Sequence, residues 1–543
     1  MVQFNFDIRD MSMRKPHQYH TASIVLGINE MSQENAAKRN SDRYWVLFAV
    51  CAAGLILPLE YTGPAMALPA IERALGGSPI ALAWVINAFA LSFGSSVMVA
   101  GALADRYGRK RIFCIGIASF TGFSLVIGLS PNVLVLDLLR VAQGIGAALA
   151  MSGGAASLAQ EFQGRARTKA FSLLGTAFGI GLASGPVIAG ALVESFGWWA
   201  IFLLGAIIGG AVLLLGVPRM RETRDPQAHS LDWLGSITFT AFLLFLTFAI
   251  MQIPQSGLGS GVVVGLLVGS GLLLVAFILV ELKHERPMLD LSLFGYPRFV
   301  GIQLLPIATA VCFIVLLIIL PLRLIGPEGM SELQAGAMMI ALSAPMAVIP
   351  FTAALLTRWV SASTLSCVGL VIAAVGLVWL STVPVGEHWS ELVLPLLVIG
   401  MGTGLPWGLM DDLSISVVPV ERAGMATGIF TTMRACGEAI CVAGALALLN
   451  SFLRVELWTA SGQNPSLSLP ISVAANGMAT GDMSHARSLT GQLQTLTLEQ
   501  LYSAAFANLL YVLIAITLLA AAISALALRQ TKVEQTAPQR QPL

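Results

Sequence analysis

Runs of about 20 mainly apolar residues recur along this chain, and each is long enough to cross roughly 30 Å of hydrocarbon as a helix that satisfies its own backbone hydrogen bonds. Fourteen can be drawn, at about 44–69, 82–103, 112–129, 133–158, 170–192, 198–217, 232–251, 259–281, 299–320, 335–357, 361–381, 391–417, 423–450 and 502–528. The expected fold is therefore an all-α integral membrane protein with 14 transmembrane helices. The polar inventory agrees, since 11% of the 543 residues are charged. A soluble domain uses roughly a quarter to build its water-facing surface. Six Cys without regular spacing suggest neither a disulfide framework nor a metal cluster. Cys114, Cys312, Cys367 and Cys441 fall in apolar runs and read as small core residues. No metal and no cofactor is expected.

An even number of spans puts both termini on one side, and the bias of Lys and Arg decides which. Segments assigned to the cytoplasm hold 24 of the 30 basic residues, including the groups at Arg106 to Arg111, Arg165 to Lys169 and Arg219 to Arg224. The opposite side holds four, Arg73, Arg323, Arg454 and Arg487, while Arg140 and Arg434 fall inside helices. Losing or adding one span would scramble this segregation, so both termini are expected in the cytoplasm. Residues 1–42 read as a mobile N-terminal tail without a cleavable signal, and 529–543 as a C-terminal tail. Residues 451–500, rich in Ser, Gln, Asn and Thr, form the one long polar segment between spans; it reads as external, and either disordered or a small lid over the outer vestibule.

Lipid-facing surface has no use for charge, so embedded ionisable residues are where chemistry should be sought. These are Glu60 in the first span, Asp137 and Arg140 in the fourth, Asp411 and Asp412 in the twelfth, and Arg434 and Glu438 in the thirteenth. At 1.5 Å per residue Glu60 lies about 24 Å up the first helix and Arg140 about 10 Å down the fourth, which places both in the outer half. Asp137 with Arg140, and Arg434 with Glu438, have the spacing of local ion pairs and could simply neutralise one another. Glu60 has no basic residue within a turn of its own helix, which suits a group that takes up and releases a proton. Asp411 and Asp412 point about 100° apart, so at most one faces a central cavity squarely. Trp84, Trp407 and Met410 are candidates to line that cavity, since aromatic faces attract delocalised cations and thioethers conform to varied shapes.

Four motifs sit on this framework. The turn after the second span reads Gly101-Ala-Leu-Ala-Asp105-Arg106-Tyr-Gly108-Arg109-Lys110-Arg111. Its glycines permit a tight turn, Asp105 can cap a helix or hold an arginine, and the basic run anchors it to the cytoplasmic face. The fourth span carries Arg140-Val-Ala-Gln143-Gly144, and the fifth carries Gly181-Leu-Ala-Ser-Gly185-Pro186-Val-Ile-Ala189-Gly190, whose small residues four apart allow close helix packing around a proline bend. The first span contains Leu59-Glu60-Tyr-Thr62-Gly63-Pro64-Ala65-Met66-Ala67-Leu68-Pro69. Together these resemble the signatures of the major facilitator superfamily, and the first-span motif resembles that of its fourteen-span drug:proton antiporters. This chain has Glu60 where that branch usually has aspartate, and Gly63, Pro64 and Ala65 where it commonly has isoleucine, valine and asparagine. Trp199, Ala200, Gly205 and Thr357 are further departures.

The resemblance implies two six-helix bundles, residues 43–217 and 299–528, with an inserted transmembrane hairpin and its flanking loops over 218–298. It further implies that the Gly101–Arg111 loop clamps helix ends in the outward-open state, that Arg140 belongs to proton coupling, and that Gly181, Gly185, Pro186 and Gly190 mark an exporter. The expected function is proton-coupled efflux of amphipathic, cationic drugs or toxic compounds by alternating access, in a bacterial inner membrane. The alternative is a proton-coupled exporter of one endogenous metabolite or lipid-like compound. An importer fits less well because Gly185-Pro186 resembles an exporter signature, and an enzyme or a pure receptor because no nucleotide loop, metal cluster or nucleophile elbow is present. The expected partners are a small-molecule substrate, protons and membrane lipid, with no nucleic acid; a periplasmic adaptor is left open without direct sequence evidence. In a background lacking native cysteines, a probe at position 470 should be labelled from outside intact cells, and probes at 166 and 535 only after permeabilisation. External labelling at 166 overturns this topology.

Overall fold

The computed structural model describes residues 17–224, 232–284, 287, 289, 291–417, 423–488 and 497–528. The expected C-terminal tail and the Glu421–Arg422 pair ahead of the thirteenth span lie outside them. The described residues are helical, without strands, and include 14 helices long and apolar enough to cross a membrane. The first six spans are α1 (His17–Leu75), α2 (Pro79–Tyr107), α3 (Arg109–Ile127), α4 (Val133–Glu161), α5 (Gly164–Phe196) and α6 (Ala200–Ala211), the last extended by irregular turns to Arg219. A hairpin follows, α7 (Trp233–Ser256) and α8 (Gly261–Lys283). The ninth span is α9 (Pro297–Thr309) joined through a π-turn to α10 (Val315–Ile325), and the tenth is α11 (Glu332–Ser343) followed by α12 (Pro345–Leu356). Then come α13 (Ala362–Ser381), α14 (Ser390–Trp407) with the short α15 (Met410–Ser416), and α16 (Ala423–Ala460). Two surface helices, α17 (Ser468–Thr480) and α18 (Ser484–Ser488), precede α19 (Leu498–Ala527).

Local chemistry sets many of these starts. Ser78, Asn132, Asp232, Ser260, Ser331, Ser361 and Thr497 each accept a backbone N–H of the first turn, which satisfies a donor the helix cannot pair internally. Within the bundles small residues bring backbones together, as membrane helices require when lipid removes the hydrophobic drive between them. A methyl on Gly153 of α4 would lie 2.7 Å from the Phe113 nitrogen of α3, and one on Gly376 of α13 would lie 2.9 Å from the Ile399 nitrogen of α14. The hairpin joins through Phe239 and Phe277, ring centroids 5.1 Å apart, and α7 packs on both α2 and α16 while α8 is largely exposed.

Three segments differ from expectation. Residues 17–42, expected as an irregular tail, form the beginning of α1, and no proline interrupts the chain between Pro16 and Pro58. The thirteenth span runs on to Ala460, because Leu449, Leu453 and Leu457 continue its buried stripe at four-residue spacing. The remaining polar segment is largely α17 and α18. The twelfth span breaks after Trp407, where Pro406 and Gly408 interrupt the ladder, and Asp411 and Asp412 fall in the first turn of α15 as exposed residues. Both carboxylates are exposed, although the span as a whole, Ser390–Ser414, still includes them.

The face carrying the Gly101–Arg111 turn is called the basic face, and its opposite the far face. At the far face the two halves of the chain are stitched together by α5 and α11. Ser343 Oγ donates to Ala183 O at 2.9 Å, and the Leu333 N–H donates to Glu194 Oε2 at 3.0 Å. A methyl on Gly336 would sit 2.7 Å from Pro186 O, and Arg73 pairs with Glu332 at 3.2 Å. α17 lies across the same junction: Thr480 Oγ1 donates to Glu72 Oε2 at 3.1 Å, and Asn450 donates to Asn476. Toward the basic face α12 makes far lighter contact with α5 than α11 does, so on this flank the join between the halves is densest toward the far face. Cysteines at Glu194 and Leu333, in a background lacking native cysteines, should be joined by a short bifunctional maleimide in membranes. Absence of that cross-link, with each single cysteine reactive, means that the far face is not closed in this way.

Candidate functional site

The deepest charges lie inside the first six spans. Glu60, Arg140 and Gln143 are each fully buried, and an isolated charge there would be costly without partners. Arg140 has its partners. Its Nε donates to Val85 O at 2.9 Å, one terminal nitrogen donates to Gln143 Oε1 at 2.6 Å, and the other to Glu60 O at 3.1 Å. The guanidinium also stands over the Phe89 ring at 4.4 Å and the Phe202 ring at 5.6 Å, in cation–π contact.

The free carbonyl of Glu60 has a cause in the sequence. Pro64 follows four residues later and has no N–H to give it, so the helix leaves that oxygen open and Arg140 occupies it. Arg140 is a donor at every nitrogen, which forces Gln143 to present its oxygen to the guanidinium and its amide nitrogen to the other side. That nitrogen donates to Glu60 Oε2 and, at 2.7 Å, to Ser124 Oγ. The Arg140 guanidinium stands 4.0 Å from Glu60 Oε2, beyond hydrogen-bond length. Glu60 Oε1 is left without a hydrogen-bond partner. It points at α6, where a Cβ on residue 205 would overlap it; glycine at that position makes the space. Against α1, Gly185 meets the Thr62 hydroxyl and Gly181 meets Leu55 O.

The other sequence candidates are placed as follows. Asp137, one turn before Arg140 on α4, is buried with Oδ1 lacking a hydrogen bond; Arg140 turns instead to Glu60 and Val85. Arg434 turns to Asp411, 3.5 Å away, and stands over the rings of Trp407 at 5.9 Å and Phe430 at 6.0 Å. Glu438 is half-buried on the same helix. Trp407 neighbours Phe313, centroids 6.2 Å apart, and Met410 is fully buried beneath them. Trp84 faces the hairpin, with its ring 6.3 Å from Phe248.

In the Gly101–Arg111 turn, Asp105 accepts from Arg109 at 2.8 Å. Gly108 has φ +114°, and the carboxylate of Glu222 fills the space a side chain there would need. Glu222 also accepts the Lys110 and Arg111 N–H groups, each at 3.2 Å, and so caps α3. In this state Arg106 stands over the neighbouring Tyr107 ring, at 5.3 Å, and the turn is tied to the end of the sixth span. Ser124, Phe89 and Phe202 were not singled out from sequence, because an isolated Ser or Phe in an apolar run carries no sign of what it faces. Pro64 was visible, and its distance of four residues from Glu60 is the signal for the freed carbonyl.

Residues 48–441 match the family model described as Major Facilitator Superfamily. The chain is 29% identical over 396 residues to "Multidrug resistance protein Stp" of Mycobacterium tuberculosis, covering 72% of this chain and 73% of that one. It is 30% identical over 461 residues to the "Probable actinorhodin transporter" of Streptomyces coelicolor, covering 81% of this chain and 78% of that one. Among solved structures, a bacterial homologue of the human lysosomal transporter Spinster, in an inward-facing and unoccupied conformation, aligns with a TM-score of 0.62 at 15% identity. That alignment covers 90% of this chain and 97% of that one, and the likeness is one of fold.

Arg140→Lys should destabilise the protein by about 3–5 kcal/mol, the range for breaking a buried charge arrangement. A lysine keeps the charge but cannot serve three acceptors along a planar fork. Thermal unfolding of purified protein in detergent checks this, and a midpoint equal to the parent's would show that the network does not hold the bundle together.

Proposed function

The chain belongs to the major facilitator superfamily and is a multi-pass membrane transporter, and from that premise we propose that it expels amphipathic, cationic drugs or toxic compounds in exchange for protons by alternating access. The observation that carries this reading is Glu60: a fully buried carboxylate with one oxygen lacking any donor, beside an arginine already committed to three other acceptors. Such a group is suited to take up a proton on one side of the membrane and release it on the other. Gln143 links its charge state to Arg140 and Ser124, which belong to α4 and α3.

The basic face is read as cytoplasmic, in a bacterial inner membrane, from the charge bias. With the far face closed, substrate enters from the cytoplasmic side. Asp411 and Asp412, exposed toward that side, draw cations to the more loosely joined end of the halves. Arg434, Trp407, Phe313 and Phe430, with Glu438 on the same helix as Arg434, supply a mixed aromatic and charged wall. The exporter reading agrees with the printed names of the relatives. The relative named for actinorhodin favours a second reading, export of one endogenous metabolite, which a substrate panel separates from multidrug efflux.

In proteoliposomes with an imposed pH gradient, Glu60→Gln should abolish uphill export of every transported substrate, since glutamine keeps the shape but cannot titrate. Glu60→Asp should retain part of it. Full gradient-driven export by Glu60→Gln, with loss in Glu438→Gln, would move the coupling group to the second half of the chain. Retention by both variants ends the proposal of proton antiport through these acids.

A further inference from the structure

Buried polar groups are normally paired, so two facing carboxylate oxygens without partners need an explanation. They lie at the basic-face end of the hairpin, away from Glu60 and Arg140. Asp232 caps α7, with Oδ1 accepting the Gly235 N–H at 2.7 Å. Glu281, in the last turns of α8, accepts the Leu289 N–H on Oε2 at 3.0 Å and so holds the chain that leaves the hairpin. Both are more than nine-tenths buried, at 7% and 3% exposure. The second oxygens, Asp232 Oδ2 and Glu281 Oε1, have no hydrogen-bond partner.

Those two oxygens converge on one small space. A Cβ on Gly235 would lie 2.6 Å from Glu281 Oε1 and would collide with Asp232 Oδ2 as well. Two anions facing each other in a buried site repel strongly and need either a proton or a cation between them. Among the described residues, no Lys or Arg makes an ion pair with either acid. Lys283 is exposed, and His284, half-buried at the end of α8, is the other titratable side chain facing Glu281 among the described residues. A metal ion is poorly served: no group of three or more His, Cys, Asp or Glu able to hold one occurs among the described residues, and two oxygens fall short of the roughly six that Ca²⁺ or Mg²⁺ requires.

We propose that Asp232 and Glu281 bind one proton between them, the carboxyl of one donating to the carboxylate of the other, and that this shared proton fastens the base of the α7–α8 hairpin to the segment leading into α9. The bond is a proton site separate from the transport network. Its release as pH rises leaves two anions in contact, so the base of the hairpin loosens on the alkaline side.

Hydrogen–deuterium exchange of the full-length protein in lipid nanodiscs, from about pH 6 to about pH 10 and corrected for intrinsic exchange, reads the state of the pair. In the parent, protection of residues 232–240 and 277–289 should fall about tenfold or more across that range. Glu281→Gln should keep its protection at every pH, because its amide oxygen still accepts Leu289 N–H while its nitrogen donates to Asp232 Oδ2. Asp232→Asn should do the same, since asparagine also caps a helix. Protection that is independent of pH in the parent overturns the proposal, as does the same alkaline fall in both variants. Loss of protection in the parent on adding a chelator at constant pH, with Glu281→Gln unprotected throughout, assigns the site to a metal ion and also overturns it.

Discussion

A guanidinium that keeps its charge at any physiological pH lies fully enclosed by the first six spans, and its need for acceptors organises them. Arg140 takes one carbonyl from α1, one from α2 and the side-chain oxygen of Gln143 on its own helix, and rests on rings from α2 and α6. Through Gln143 it also reaches Ser124 on α3. The Glu60 carbonyl is available for a local reason, because Pro64, four residues on, leaves it free. The orphaned oxygen of Glu60 is then a product of the same arrangement: the arginine, already satisfied, stands too far off to pair with the carboxylate fully.

The relation of this network to the closed far face runs through α5. Its glycines at 181 and 185 meet α1 at Leu55 and Thr62, while Pro186 and Gly190 meet α11 at Gly336 and Glu332. A single helix thus packs tightly on the segment bearing Glu60 and on the first helix of the opposing half. The segment bearing Glu60 and the seal at the far face therefore share one closely packed helix, and packing this close leaves little room for either side to shift alone.

The parts of this structure legible in the sequence are those governed by one-dimensional rules. Helix length against bilayer thickness gives the spans, and rise per residue gives Glu60 and Arg140 similar depths, consistent with the 3.1 Å bond between them. What the sequence did not disclose depends on breaks and partners. Pro406 and Gly408 break the twelfth span just ahead of Asp411 and Asp412, a break the continuous apolar run conceals, and the pair comes out exposed. Arg323, counted as a far-side charge, is buried and pairs with Glu328 at 2.8 Å while donating to Val383 O and Pro384 O. Ser124, an ordinary serine in an apolar helix, acquires its role only when Gln143 is turned toward it by a residue on its other side.

The hairpin packs by one helix, α7, on both α2 and α16, the pair of spans at which the two halves also meet near Gly94 and Cys436. It therefore stands as a wall between the bilayer and that seam. The seam on the other flank runs along α5, which packs densely on α11 and only lightly on α12. The hairpin thus acts as a shutter on one flank, so a compound dissolved in the lipid that approaches the seam from that side meets α7 before it meets either half.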